Sequence, residues 1–269
     1  MQFLSKQSSR IRKAIQALLS KRDTGSNSPI FIVGCGHSGT SILLAILGAH
    51  SRICAVPYES YLACDLATMK PRPRDEAKAM IRGFDALVVS EKKARWVEKT
   101  PIHVRFIAEL FALCPECKIL LIIRDGRDVA CSLQDRNGDL QEGIDRWVLD
   151  NTAGEEFWNN PNVHVLKYEN LVEDYQGTML AVMQFLGEKF EKQMANYYKV
   201  PKLWYAKELE KPPDAFGPNH EKFRNWQINQ PFFDGRGKWK RLSEDEKRVI
   251  KSAAGKMLIK YGYTDGDGW

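Results

Sequence analysis

The sequence predicts one α/β domain, a doubly wound parallel sheet flanked by helices. Three observations carry that expectation. Short apolar runs, Ile30-Phe-Ile-Val33, Lys118-Ile-Leu-Leu-Ile-Ile123 and Val163-His-Val-Leu-Lys167, alternate with stretches of helical periodicity, and parallel strands buried on both faces read as such continuous runs. The 269 residues, 43% of them hydrophobic, suffice for a single core of ordinary size. Glycine-rich or charged turns follow directly on the strands, at the carboxyl ends where ligands bind in open α/β sheets.

The elements follow in chain order. Residues 1–28 form an arm whose Lys6, Arg10, Arg12, Lys13, Lys21 and Arg22 are unopposed by any acid before Asp23. Phe3, Leu4, Ile11, Ile15, Leu18 and Leu19 recur there at helix-like spacing, so a basic amphipathic helix is expected, strapping its own domain or making peripheral contact with an acidic membrane; a targeting peptide is the third reading. Residues 1–22 carry the whole net charge of +6, because 34 basic and 34 acidic side chains remain in residues 23–269. A neutral body offers no stripe for neutralising phosphates, which argues against nucleic-acid binding.

Ser26-Asn-Ser-Pro29 ends the arm and the domain runs from 29 to 269. A strand over about 29–34 leads through a loop to a helix from Thr40 to Ala49, and Pro71-Arg-Pro-Arg74 divides the helical region that follows. Arg95-Trp-Val-Glu98 reads as a second strand ending at Lys99-Thr-Pro101, with the proline at the first turn of a helix reaching about Leu113. The strand at 118–123 is the clearest; Arg124-Asp-Gly-Arg-Asp128 and another helix follow it. A fourth strand at 163–167 precedes a helix from about Glu173 to Leu186, and 243–262 is helical again. Between 199 and 240, Trp204, Tyr205, Phe216, Phe223, Trp226, Phe232 and Phe233 appear without periodicity, the mark of a lid or binding loop. Six scattered cysteines suit a reducing, cytoplasmic setting, and Cys114-Pro-Glu-Cys117 reads as an ordinary turn with free thiols.

Gly34-Cys-Gly-His-Ser-Gly-Thr-Ser41 has the spacing of a Walker A loop with Thr40 where the lysine belongs. Strand, glycine-rich turn and helix N-terminus together present backbone N–H groups to an anion. Without the lysine that reaches a γ-phosphate, ATP chemistry is disfavoured. Ser38 as the nucleophile of a G-x-S-x-G elbow is also disfavoured, since Thr40 replaces the final glycine and the loop follows the first strand. In Arg124-Asp-Gly-Arg-Asp128, two guanidiniums stand beside a helix N-terminus with Ser132 a turn into the helix; either arginine holds a compact phosphate or pairs with Asp125 or Asp128.

Taken together, these motifs resemble the sulfotransferases that use 3′-phosphoadenosine 5′-phosphosulfate (PAPS), closest to the branch containing tyrosylprotein and many bacterial enzymes. The resemblance implies a P-loop-type fold and transfer of a sulfonyl group from PAPS, leaving 3′-phosphoadenosine 5′-phosphate (PAP), to a hydroxyl or amine of a sugar, phenol, lipid or peptide, with no metal. It implies that Gly36, His37, Ser38, Gly39, Thr40 and Ser41 hold the 5′-phosphosulfate, that Arg124 and Ser132 hold the 3′-phosphate, and that Tyr168 in "VLKYENLV" lines the nucleotide site. Lys99 in "EKTP" lies near the sulfonyl group, and Arg236, Gly237, Lys238 and Trp239 in "GRGKW" close over the nucleotide. His37 departs from the family, which has Arg or Lys there. With an ordinary pKa near 6.5 its charge would vary with pH. Glu59 in "VPYES" stands near the branch's general base and would serve if burial or neighbours raised its pKa; His103, within the helix after Lys99-Thr-Pro, and His50, capping the end of its helix, compete with it. A nucleotide-dependent kinase of the P-loop class and a non-catalytic nucleotide-binding scaffold protein are the alternatives.

Overall fold

The computed structural model describes residues 27–214, 219–266, 268 and 269. Residues 1–26 of the basic arm expected over 1–28, with its helix, and the aromatic Phe216 lie outside the described residues.

Five strands, β1 (Ile30–Val33), β2 (Ile53–Ala55), β5 (Arg95–Lys99), β6 (Lys118–Ile123) and β7 (Val163–Lys167), form a parallel sheet in the order β2-β5-β1-β6-β7. A two-residue hairpin, β3 (Cys64–Asp65) with β4 (Lys70–Pro71), stands apart. Alternation along β1 sends Phe31 and Val33 into one core layer and Ile30 and Ile32 into the other, which is why the strand is apolar at every position. On the Ile30 side packs α1 (Thr40–Gly48), whose Leu43, Leu44, Ile46 and Leu47 are fully buried; each such side chain contributes about 1.5–3 kcal/mol. The opposite face carries α2 (Arg74–Ser90), α3 (Ile107–Leu113), α4 (Gly126–Asn137) and α5 (Leu140–Glu155) around Trp96 and Trp147.

The strand order decides where a ligand fits. From β1 the chain crosses to β2 and returns through β5, and only then adds β6 and β7 on the other side. The winding direction therefore reverses beside β1, and the loops leaving β1 and β6 open side by side at the switch point.

Several expectations are corrected. The region before Pro71 is not a helix: β2, a turn and the hairpin occupy it, and Pro73 caps the start of α2. A three-residue strand such as Ile53-Cys-Ala55 carries no readable period. After Pro101 a 3₁₀ turn (Pro101–Phe106) precedes α3, so His103 is not in an α-helix. The helix expected from about Glu173 to Leu186 is α7 (Tyr175–Leu186), and a short helix the sequence did not announce, α6 (Tyr168–Glu173), precedes it, separated at Asp174, whose carboxylate accepts from the Gly177 amide at 2.8 Å. A one-turn helix α8 (Lys192–Ala195) follows. Within the aperiodic stretch lies α9 (His220–Ile228), and α10 (Glu244–Lys260) closes the chain behind a capping box made by Ser243 and Glu246. Cys114 and Cys117 form no disulfide and are joined by a backbone turn, Cys117 N–H to Cys114 O at 3.0 Å.

Candidate active site

A cavity of about 1040 Å³ opens at the carboxyl ends of the strands. Its floor is the loop between β1 and α1. Gly34 leaves β1 at φ +146°, and a Cβ there would stand 2.2 Å from the Ile122 carbonyl oxygen, so only glycine lets β1 and β6 approach this closely. Gly39 at φ +98° opens α1 without a side-chain cap and with no acid in the first turn, leaving the positive end of the helix facing the cavity. A Cβ on Gly39 would press to 2.8 Å against the Tyr168 ring. Ser38 is fully buried with its hydroxyl unpartnered, and Arg124 Nε is buried and unpartnered. Orphaned buried donors are costly, and here they surround the helix end; the residues fit an anionic group.

Arg124 ties the two loops together. Its NH1 donates to the His37 carbonyl at 2.9 Å, NH2 donates to the Gly235 carbonyl, and the guanidinium lies 4.4 Å over the Tyr168 ring. Tyr168 Oη accepts from the Gly235 amide at 3.1 Å and donates to the Phe233 carbonyl at 3.0 Å, so the strand-end tyrosine fixes the C-terminal loop over the site. His37, at φ +69°, sets its Nδ1 2.8 Å from Ser132 Oγ.

The rest of Arg124-Asp-Gly-Arg-Asp128 is scaffolding. Arg127 pairs with Asp125 at 2.7 Å, as the second reading of the motif held, and its guanidinium lies 4.1 Å and 4.6 Å from the rings of Trp239 and Trp269, which meet edge to face. Asp125 also accepts from the Arg127 amide at the start of α4. Asp128 receives the Gly237 and Trp239 amides at 2.9 and 3.2 Å. One guanidinium of the two faces the cavity.

The "GRGKW" loop divides likewise. Gly235 and Lys238 line the cavity. Arg236 is exposed and pairs with Asp234 and Glu173, while Trp239 packs on Arg127 and Trp269. Arg236, Gly237 and Trp239 are thus not among the lining residues expected of them; Asp128 draws the loop amides away from the cavity.

At the opposite wall Glu59 lines the cavity, while Lys99, at the end of β5, is completely buried and not itself a lining residue, its Nζ donating to Glu59 Oε1 at 2.6 Å. The same oxygen accepts from Arg224 of α9, and Tyr61 Oη donates to Oε2 at 3.0 Å. Burial by itself would raise the Glu59 pKa, but Lys99 and Arg224 outweigh it and hold the group at about 2. The raised pKa that a base role for Glu59 needs is therefore absent, since two cations grip one oxygen. Burial drives Lys99 down to about 8 against the pull of Glu59.

His37 is corrected too. Burial first, then Arg136, Arg146, His220 and Arg124, push its pKa to about 3, so the imidazole is neutral through the physiological range rather than changing charge near 6.5. His103 is fully buried away from the cavity, Nδ1 3.3 Å from Glu98 and Nε2 accepting from the Ala63 amide. His50 contacts the Lys189 carbonyl at 3.0 Å instead of capping its own helix. Neither reaches the site. Arg224, Arg136, Arg146 and His220 line the cavity unforeseen; an isolated arginine in an aperiodic or helical stretch carries no local signal.

A family model described as "Sulfotransferase family" matches residues 29–93 and 79–192, more than half of the chain. An uncharacterized protein of Aquifex aeolicus (strain VF5) is 23% identical over 214 residues, 67% of this chain but 28% of that protein, so the chain spans less than a third of this curated relative. The sulfotransferase domain of the Synechococcus PCC 7002 olefin synthase superposes with a TM-score of 0.54 at 15% identity, covering 87% of this chain and 97% of that one. Mouse sulfotransferase SULT7A1 complexed with PAP gives 0.54 at 17%, covering 91% and 93%. The sulfotransferase domain of the curacin biosynthetic pathway gives 0.51 at 15%, covering 87% and 98%. At such identities the likeness is one of fold, a single α/β domain on a five-stranded parallel sheet.

Proposed function

The chain belongs to the sulfotransferase family, and from that premise we propose that it moves a sulfonyl group from PAPS to a hydroxyl or amine of an acceptor. The observation that carries this reading is the 2.9 Å hydrogen bond from Arg124 to the loop carbonyl of His37. It sets the guanidinium after β6 against the glycine turn after β1, so one nucleotide with anionic groups at both ends spans the two.

PAPS when bound supplies the activated sulfonyl group. The residues of this chain hold and polarise. The loop from Gly36 to Ser41 and the open end of α1 hold the phosphosulfate; Arg124, Ser132 and Tyr168 hold the 3′-phosphate and the base side. Lys99 donates to the oxygen on which charge grows as the transferring bond breaks, a contribution of a few kcal/mol for a preorganised donor. His37 serves as a neutral N–H donor fixed by Ser132. The missing Walker lysine fits a donor without a γ-phosphate. Six free thiols suit the cytoplasm, and among the described residues no helix is long and apolar enough to cross a membrane.

Calorimetry with PAP against ATP and Mg²⁺ tests the assignment. PAP binding without metal is expected; binding of ATP only with Mg²⁺ would establish the kinase alternative instead. A chain that binds PAP but transfers sulfonyl to none of a panel of phenols, sugars and amines would be the scaffold protein.

A further inference from the structure

We propose that Glu59 and Arg224, which line the cavity, are a positioning pair for Lys99: the carboxylate is the counter-ion that keeps the buried ammonium charged and held at the cavity's edge, and the guanidinium delivered by α9 tempers how tightly it is held. The inference rests on the sulfotransfer reading for its purpose, but its geometry stands without a donor.

Lys99 has no exposed surface, and Glu59 is its hydrogen-bond acceptor. A lone buried ammonium is expensive, so it needs a partner to stay charged. Glu59 is itself well anchored. The Ser60 amide and hydroxyl donate to Glu98 at 3.1 and 2.8 Å, the Ser60 amide also reaches Thr100 Oγ1 at 3.0 Å, and Tyr61 grips Oε2. The carboxylate therefore receives three donors, which satisfies a charged group and leaves little affinity for a proton.

The groups facing Lys99 come from several elements. Glu59, from the loop after β2, attracts it, as does Glu98 on β5; Arg224 on α9 repels it. The Tyr205 ring lies 5.4 Å from Nζ, and the Arg224 guanidinium lies over the same ring at 4.7 Å. Because Lys99 and Arg224 share Oε1, each weakens the other's hold on it. An anion entering the cradle then draws Lys99 away from Glu59 at reduced cost, since Arg224 stays behind to neutralise the carboxylate.

The arrangement makes opposite-signed predictions. With lysine labelled at ¹³Cε and the Lys99 resonance identified by its loss in Lys99→Met, the Lys99 titration midpoint is read by NMR in the ligand-free protein. Glu59→Gln should move that midpoint about one pH unit or more toward acid, Arg224→Met should move it toward alkali, and Arg224→Lys should stay near the wild type. No movement in Glu59→Gln, or movement of Glu59→Gln and Arg224→Met in the same direction, overturns the proposal. Should Glu59→Gln fail to fold, the two Arg224 variants still decide. In turnover, the alkaline limb of kcat should follow these midpoints; loss of the acid limb in Glu59→Gln would make Glu59 the base and overturn the pairing. Failure of PAP to bind would remove the sulfotransfer reading while leaving the NMR result standing.

Discussion

The cradle around β1 and β6 and the segment from 199 to 240 border the same cavity but are built on opposite principles. The cradle is backbone and short side chains set on strands with no exposed surface: Ile30, Phe31, Ile32 and Val33 are all at 0%. The described residues of the later segment include the nine-residue α9 and leave Val200, Leu203 and Phe233 between 51% and 66% exposed. The half with the glycine turn and the open end of α1 is thus fixed by the sheet core, while the half that brings Arg224 and Tyr205 is joined to it by side-chain contacts. A cradle set in the sheet core thus faces a wall assembled from side chains of a remote segment.

Substitutions on the two sides sharpen or break that contrast. Lys99→Met, at the junction of both, should have the largest effect, lowering kcat roughly 100- to 1,000-fold, the loss typical of one preorganised donor; a loss under tenfold by single-turnover measurement would deny Lys99 its role. Gly34→Ala forces a Cβ against the Ile122 carbonyl in a left-handed conformation and should destabilise the protein by about 3 kcal/mol, read as a lower urea midpoint. Arg124→Lys keeps the charge but not the fork that reaches both His37 and Gly235, and should weaken PAP roughly tenfold by calorimetry.

A smaller effect belongs to His37. Its folded pKa of about 3 lies below the ordinary 6.5, so between those values the unfolded chain binds the extra proton and stability falls as pH drops from about 6.5 toward 3. His37→Asn should remove about 1 kcal/mol of that loss near about pH 5.5, flattening Tm against pH on the acid side. On the wall side, Leu203→Ser should change stability by less than about 0.5 kcal/mol. A large loss there would show that the segment is core rather than wall.

Much of the cradle was legible because its chemistry is local. A β-branched run, a glycine turn and a helix start are adjacent in the chain, and the same holds for Arg124, just before α4, and Ser132, in its second turn. The wall was not legible. Arg224 meets Glu59 across 165 residues, α9 begins without a side-chain cap, and the flanking prolines and aromatics mask its period. Glu59 was noticed for its position, but its charge state depends on two cations from distant elements. Within Arg124-Asp-Gly-Arg-Asp128 the residue types were plain, yet which arginine faced the cavity and which packed against tryptophans was set by Trp239 and Trp269, far along the chain.

The sequence by itself determined a parallel sheet with anion loops at the ends of β1 and β6 and the family to which they point, because apolar runs and glycine spacing act within a few residues. Tertiary structure alone decided that His37 is neutral, that Glu59 is a bound counter-ion and that Arg224 stands beside Lys99. Desolvation and Coulomb interactions are properties of what surrounds a group in space, and most of those neighbours are remote in the chain.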